Sequence, residues 1–118
     1  MGFGFPGEIL QDSGLTTPSA LELQRMLGVL VSKQAHAVAV EASSHGLVQD
    51  RLNGTVINLA VFTNISRDHL DYHPTYADYC AAKRRLFHWP DLQDAVINLD
   101  DEFGRQLLTE LPTTVRPI

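Results

Sequence analysis

An apolar run ends abruptly inside the stretch Val61 to His73, which reads Val-Phe-Thr-Asn-Ile-Ser-Arg-Asp-His-Leu-Asp-Tyr-His and packs two His, two Asp, an Arg and an Asn into thirteen residues. A buried strand that breaks into a dense polar segment is how an α/β fold presents chemistry at the carboxyl edge of its sheet. Two other stretches answer it: Glu41-Ala42-Ser43-Ser44-His45-Gly46 upstream and Lys83 downstream.

The periodicity on either side supports an α/β chain. Thr17-Pro18 predicts a helix start, with Thr as N-cap and Pro at the first helical position. Leu23, Met26, Leu27, Leu30 and Val31 then fall at i, i+3, i+4, i+7 and i+8 and make one apolar face. Ala37 to Val40 reads as a buried strand ending at Glu41, and Ser43-Ser44 as the cap of a short helix over Leu47 to Leu52, stopped by Asn53-Gly54. Val56 to Thr63 is the next strand. Thr75 caps a helix with Tyr76, Tyr79, Cys80, Lys83 and Phe87 on one stripe. Ala95 to Leu99 is a strand, Asp101 opens a helix that Pro112 ends, and Thr113 to Ile118 begins another strand. Helix and strand alternating at this length imply a parallel sheet with crossover helices.

The first eighteen residues read as loop. Gly2-Phe3-Gly4-Phe5-Pro6-Gly7 spells G-x-G-x-x-G, but a dinucleotide fingerprint follows a strand and opens a helix, and Pro6 sits inside this one. None of the eight Gly begins a G-x-x-x-x-G-K-[ST] phosphate loop. A length of 118 residues allows one domain, and a net charge of -5 argues against a general nucleic-acid binder. The single cysteine, Cys80, excludes an internal disulfide and reads as a small core residue. Neither a signal peptide nor a membrane span is evident, which predicts a cytoplasmic protein without membrane contact.

Each candidate site residue has two readings on its own. Glu41, placed at a strand end, is either a hard oxygen ligand suited to Mg²⁺ or a helix-capping or Arg-paired carboxylate. Ser43 and the backbone N–H groups after it can hold an anion, with Gln49 and Arg51 near by, or can simply cap a helix. His69 and His73 are four apart, as in some zinc sites, yet Pro74 disfavours helical geometry at His73. One His joining Glu41 at a metal, or a polar loop packed by its own hydrogen bonds, are the other readings. Lys83 on an apolar stripe either snorkels or, partly deprotonated, reacts with CO₂ to give a carbamate that can ligate a metal.

Four motifs in order, Glu41-Ala-Ser-Ser-His-Gly-Leu-Val-Gln-Asp-Arg51, Val61 to His73, Tyr79-Cys-Ala-Ala-Lys83 and Ile97-Asn-Leu-Asp-Asp-Glu102, resemble the central ATPase domain of the Mur ligases. The likeness is to the branch that adds the third residue of the peptidoglycan stem peptide. It implies an ATP-dependent amide ligase acting on UDP-MurNAc-L-Ala-D-Glu and a diamino acid, diaminopimelate or lysine, through an acyl phosphate. The same resemblance implies that Glu41 binds Mg²⁺, that His69 holds a second Mg²⁺, and that a carbamylated Lys83 supports that metal. Thr16, Thr17, Ser43, Gln49 and Arg51 then match residues that bind the UDP-MurNAc-dipeptide, while Asn98 and Asp101 lie on the nucleotide side. Pro18 stands where the family usually has Gly, and Ala42 where Val is common.

The resemblance places the family's phosphate loop and uridine-binding domain before Met1 and its amino-acid-selecting domain after Ile118. The expected fold is therefore an incomplete P-loop-type parallel sheet flanked by helices, residues 1–118 forming part of a middle domain. That sheet would lack its first strand, leaving an edge open to self-association, and the chain alone would be inactive. The competing readings are a non-catalytic module that binds the nucleotide-sugar peptide and another amide ligase of the superfamily, such as a cyanophycin or folylpolyglutamate synthetase. A metal-dependent hydrolase built on Glu41, His69 and Lys83 is a further one.

Overall fold

Side-chain oxygens set the starts of the four helices seen in the computed structural model, which describes residues 2–5, 7, 11–12, 14–66 and 72–118. Ser19 caps α1 (Ala20–Ser32), Ser43 caps α2 (Ser44–Val48), Thr75 caps α3 (Tyr76–Phe87) and Asp101 caps α4 (Glu102–Glu110). Each accepts a hydrogen bond from a backbone N–H of the first turn that has no partner inside the helix.

The chain divides into two compact units, Met1–Thr55 and Val56–Ile118. In the first, β1 (Gly2–Phe3) and β2 (Gln11–Asp12) form a short antiparallel ladder, so part of the segment expected to be loop is paired. Helix α1 buries Leu23, Met26 and Leu30, while Val31 in the last turn is exposed. Both α1 and α2 end on a left-handed residue that is not glycine. Gln34 (φ 61°) and Asp50 (φ 56°) take that conformation, and Ala35 N–H reaches Leu30 O and Arg51 N–H reaches Gly46 O. These bonds satisfy carbonyls that the helix ends would otherwise leave open. Helix α2 therefore closes at Val48, before the Asn53-Gly54 stop that the sequence suggested.

Two further expectations for this unit are corrected. The N-cap of α1 is Ser19, not Thr17, whose hydroxyl is used over a long range instead. Residues 37–40 are not a strand, and Val38 and Val40 are 44% and 39% exposed. A run of small apolar residues becomes a strand only where a neighbouring backbone meets its N–H and C=O groups. Among the described residues of this unit, the only ladder is β1 with β2.

The second unit is built on a three-stranded parallel sheet in the order β3 (Leu59–Phe62), β4 (Asp94–Ile97), β5 (Arg116–Pro117). Leu59 pairs with Asp94 and Phe62 with Ile97, then Asp94 with Arg116. Helices α3 and α4 lie in the β3-to-β4 and β4-to-β5 connections, the arrangement that parallel pairing requires. Ala60, Phe62, Cys80, Phe87, Leu92, Ala95, Ile97, Phe103, Leu107 and Val115 form one buried apolar cluster. Phe62 is its aromatic centre, meeting Phe87 and Phe103 edge to face at 6.4 and 5.5 Å. Arg84 of α3 ties the two helices together by pairing with Glu110 at 2.6 Å and lying 5.0 Å over the Phe103 ring. Among the described residues, no helix is long and apolar enough to cross a membrane.

Candidate functional site

In the first unit the site candidates converge on one hydroxyl. Thr17 is 0% exposed, and its Oγ1 donates to the Glu41 carbonyl at 2.7 Å and accepts from Ser43 N–H at 2.9 Å. The Ser43 hydroxyl lies 3.0 Å from the same oxygen and caps α2 by accepting from Gly46 N–H at 3.1 Å. Thr17's own carbonyl accepts from Arg51 Nη1 at 2.7 Å, while Arg51 Nε and Nη2 both reach Gln49 Oε1, at 3.0 and 2.6 Å. Thr17, Glu41, Ser43, Gln49 and Arg51 are thus one connected set, with Thr16 exposed beside it.

Two consequences follow from this set. The Glu41 backbone is held from behind while its side chain is exposed, which leaves a hard carboxylate donor presented outward. The Arg51 fork, suited to a carboxylate or phosphate, is closed on Gln49, so a ligand there would exchange one oxygen acceptor for another. Gly46 is the residue that sequence reasoning did not single out. A Cβ on it would stand 2.8 Å from Thr17 Cβ and Cγ2, so glycine is what lets α2 sit against Thr17.

In the second unit Lys83 is half-buried on α3, with Nζ 5.9 Å from the centre of the Tyr79 ring. The i, i+4 spacing of Tyr79 and Lys83 is the signal for this contact. Tyr79 is buried and also stacks on His73, with centroids 5.3 Å apart and planes at 30°. His73 is itself buried and meets Tyr72 edge to face at 5.0 Å, so it packs as part of an aromatic group. Cys80, on the same helix, is buried. That burial pushes its thiol above the ordinary 9.0, against a hydrogen bond from Tyr76 and the nearby Arg84 charge that pull it down. A thiol held protonated is a poor nucleophile.

Asn98 and Asp101 occupy the turn between β4 and α4 and make contacts there on both sides. Asn98 Nδ2 donates to Thr63 O at 2.7 Å, and Asp101 accepts from Ile65 N–H as well as from the first turn of α4. His69 lies outside the described residues, along with Arg67, Asp68, Leu70 and Asp71. Among the described residues no three His, Cys, Asp or Glu side chains gather as a metal site. For Mg²⁺ the exposed Glu41 carboxylate is chemically suited. Lys83 as an ammonium repels a cation, and only its carbamate would supply oxygen.

Residues 2–116 match the model of the Mur ligase middle domain. The chain belongs to the Mur ligase family. It is 49% identical over all 118 residues to the UDP-N-acetylmuramoyl-L-alanyl-D-glutamate--2,6-diaminopimelate ligase of Ralstonia nicotianae, of which it spans 23%. The enzyme of the same name from Pseudomonas aeruginosa is 52% identical over 110 residues, 93% of this chain and 22% of that one. A solved structure of a ligase of that name superposes with a TM-score of 0.78 at 44% identity, covering 85% of this chain and 21% of the other. This Mur ligase segment therefore has the expected α/β fold with its parallel sheet, and spans less than a quarter of the relatives it matches.

Proposed function

We propose that residues 1–118 are part of the middle domain of an ATP-dependent ligase that joins 2,6-diaminopimelate to UDP-MurNAc-L-Ala-D-Glu. The observation that carries this reading is the 49% identity along the whole chain to a ligase of that name. In that reaction ATP phosphorylates the γ-carboxylate of D-Glu, releasing ADP. The diamino acid's amine then attacks the acyl phosphate, an amide bond forms and phosphate leaves with the proton. Diaminopimelate is preferred over lysine because the relatives are ligases named for it.

Within this reading, Thr16, Ser43, Gln49 and Arg51 face the UDP-MurNAc-dipeptide and Thr17 forms the floor beneath them. Glu41 would hold one Mg²⁺, and His69 with a carbamylated Lys83 a second; bound Mg²⁺ supplies neutralisation of the charge on the transferred phosphoryl group. Carbamylation needs the neutral Lys83 amine to add to CO₂, forming an N–C bond and releasing a proton. Asn98 and Asp101 belong to the nucleotide side. A nucleotide sugar and ATP as substrates place the reaction in the cytoplasm. The β3 edge, with Leu59 and Val61 half exposed, is the surface we assign to self-association of the isolated chain.

The test uses the full-length protein that carries this chain, supplied with ATP, Mg²⁺, the UDP-MurNAc-dipeptide and diaminopimelate. ADP, phosphate and the tripeptide product should appear in equal amounts, and Lys83→Ala should lower kcat by about ten- to a hundred-fold. Absence of an amide product with either diaminopimelate or lysine would sink the reading. Residues 1–118 alone contain no G-x-x-x-x-G-K-[ST] sequence and should release no phosphate.

A further inference from the structure

Three hydrogen bonds join the turn after β4 to the chain leaving β3. Asn98 N–H donates to Phe62 O at 3.0 Å, Asn98 Nδ2 to Thr63 O at 2.7 Å, and Ile65 N–H to Asp101 Oδ2 at 3.1 Å. The Asp101 carboxylate is divided between two tasks. Its Oδ1 takes Phe103 N–H at 2.8 Å and Gly104 N–H at 3.3 Å, which saturates that oxygen and caps α4. Its Oδ2 is left for Ile65. Asn98 is likewise used at both ends of its amide, since its Oδ1 accepts from Asp100 N–H at 3.0 Å.

The approach that makes this possible is enforced by Gly104. A Cβ there would lie 2.0 Å from Asn98 O and 3.2 Å from Phe62 Cε1. Helix α4 thus sits directly against the ends of β3 and β4, and Asp101 at its start comes within reach of Ile65. Past Phe62 the sheet ladder gives no further hold on the β3 chain, because its pairing with β4 ends at Phe62 and Ile97. The Asn98 and Asp101 side chains continue that hold for three more residues.

We propose that Asp101, with Asn98, is a positioning residue: it clamps Thr63–Ile65 to the start of α4 and so sets where the chain leaves the sheet toward His69. The role of His69 rests on the ligase reading above; the clamp itself does not. A carboxylate spent in this way acts on the nucleotide side through backbone placement instead of direct contact.

The test is Asp101→Ser in the full-length protein that carries the chain. Serine is a good N-cap but has one oxygen, so it keeps the helix start and releases Ile65. Hydrogen–deuterium exchange over Thr63–Ser66 should accelerate about ten-fold or more, as for loss of a bond to a charged acceptor. Exchange over α4 should stay within about two-fold. In the ligation assay kcat should fall about ten-fold while KM for ATP stays within about two-fold. Asp101→Asn, nearly isosteric, should do the same, because an amide that caps with its oxygen turns a donor toward Ile65; it replaces the serine variant if that one does not fold. Unchanged exchange over Thr63–Ser66 in the folded variants overturns the proposal. So does a rise in KM for ATP with kcat preserved, which would make Asp101 a nucleotide contact. Faster exchange over Thr63–Ser66 in the variants of a protein whose parent makes no amide would uphold the clamp and remove the ligase reading.

Discussion

The two units are held together by different means. Among its described residues Val56–Ile118 has a three-stranded parallel sheet, two helices and a continuous apolar cluster centred on Phe62. Among its described residues Met1–Thr55 has two helices and a two-residue ladder, and a buried hydroxyl, Thr17, is bonded to Glu41 and Ser43. Burial of apolar surface is non-directional and tolerates small shifts, whereas a hydrogen-bonded node fixes particular backbone atoms. The unit with this polar node is also the one that presents Glu41, Ser43 and Arg51. Its directional bonds fix the Glu41 carbonyl and the Ser43 N–H.

Glycine substitutions probe that difference with the largest effect. Gly104→Ala drives a methyl into the Asn98 carbonyl, a backbone atom that cannot step aside, and should cost about 3 kcal/mol. Gly46→Ala drives its methyl to 2.8 Å from Thr17 Cβ and Cγ2, a looser clash than the 2.0 Å at Asn98 O, and should cost less, although Cβ stays put when the Thr17 side chain turns and relief needs a small shift of the backbone. Urea titrations followed by circular dichroism at 222 nm read both variants, and Trp89, the single tryptophan, reports the second unit separately. Equal losses would break the comparison.

Next in size is Thr17→Val, which keeps the volume but leaves Ser43 N–H and Glu41 O without their bonds. The expected loss is about 1 to 3 kcal/mol, read from circular dichroism at 222 nm. If the Trp89 transition moves by the same amount, the two units unfold as one cooperative body and the distinction between them is spatial only.

A smaller effect is confined to the second unit and appears at high pH. Burial raises the Cys80 thiol above 9.0, so the folded chain retains a proton that the unfolded chain has released. Stability is therefore full below pH 9.0 and declines as the pH climbs past it, by at most about 1.4 kcal/mol per pH unit for one group. Cys80→Ala should flatten that slope in thermal melts between pH 8 and 10.5, and an unchanged slope would count against the burial argument. The smallest effect on stability is at the β3 edge. Val61, 56% exposed, should tolerate Val61→Lys within about 0.5 kcal/mol. Sedimentation should nonetheless show less self-association, because charge on an edge strand opposes strand addition.

Much of this was legible in the chain because it depends on neighbours in sequence. Thr75 and Asp101 were readable as caps, the stripe through Leu23, Met26 and Leu30 as a buried face, and β3, β4 and β5 as strands in order. The resemblance carried by Glu41–Arg51, Val61–His73 and Tyr79–Lys83 led to the right family for the same reason, since motif order and spacing are properties of sequence. The pattern failed where the answer lay far along the chain. Thr17 had every local feature of a cap, but its hydroxyl bonds to residues 24 and 26 positions away. Ala37 to Val40 had the composition of a strand without a described ladder partner to make it one. A glycine inside a helix is costly enough to hint at close packing, yet nothing in Glu-Phe-Gly-Arg says that Asn98 O is what Gly104 makes room for.

By itself, then, the sequence determined the helix starts at Ser43, Thr75 and Asp101, the buried stripe of α1, the strands β3 to β5 along the chain and the family, all of which follow from interactions a few residues long or from motif spacing. Only the tertiary structure decided which polar groups are spent inside. It closed Arg51 on Gln49, placed Lys83 over Tyr79, buried Thr17 beneath Glu41 and divided the Asp101 carboxylate between α4 and Ile65. The physical reason is that a hydrogen bond needs its partner within about 3 Å, and partners so far apart along the chain meet only once the backbone has folded.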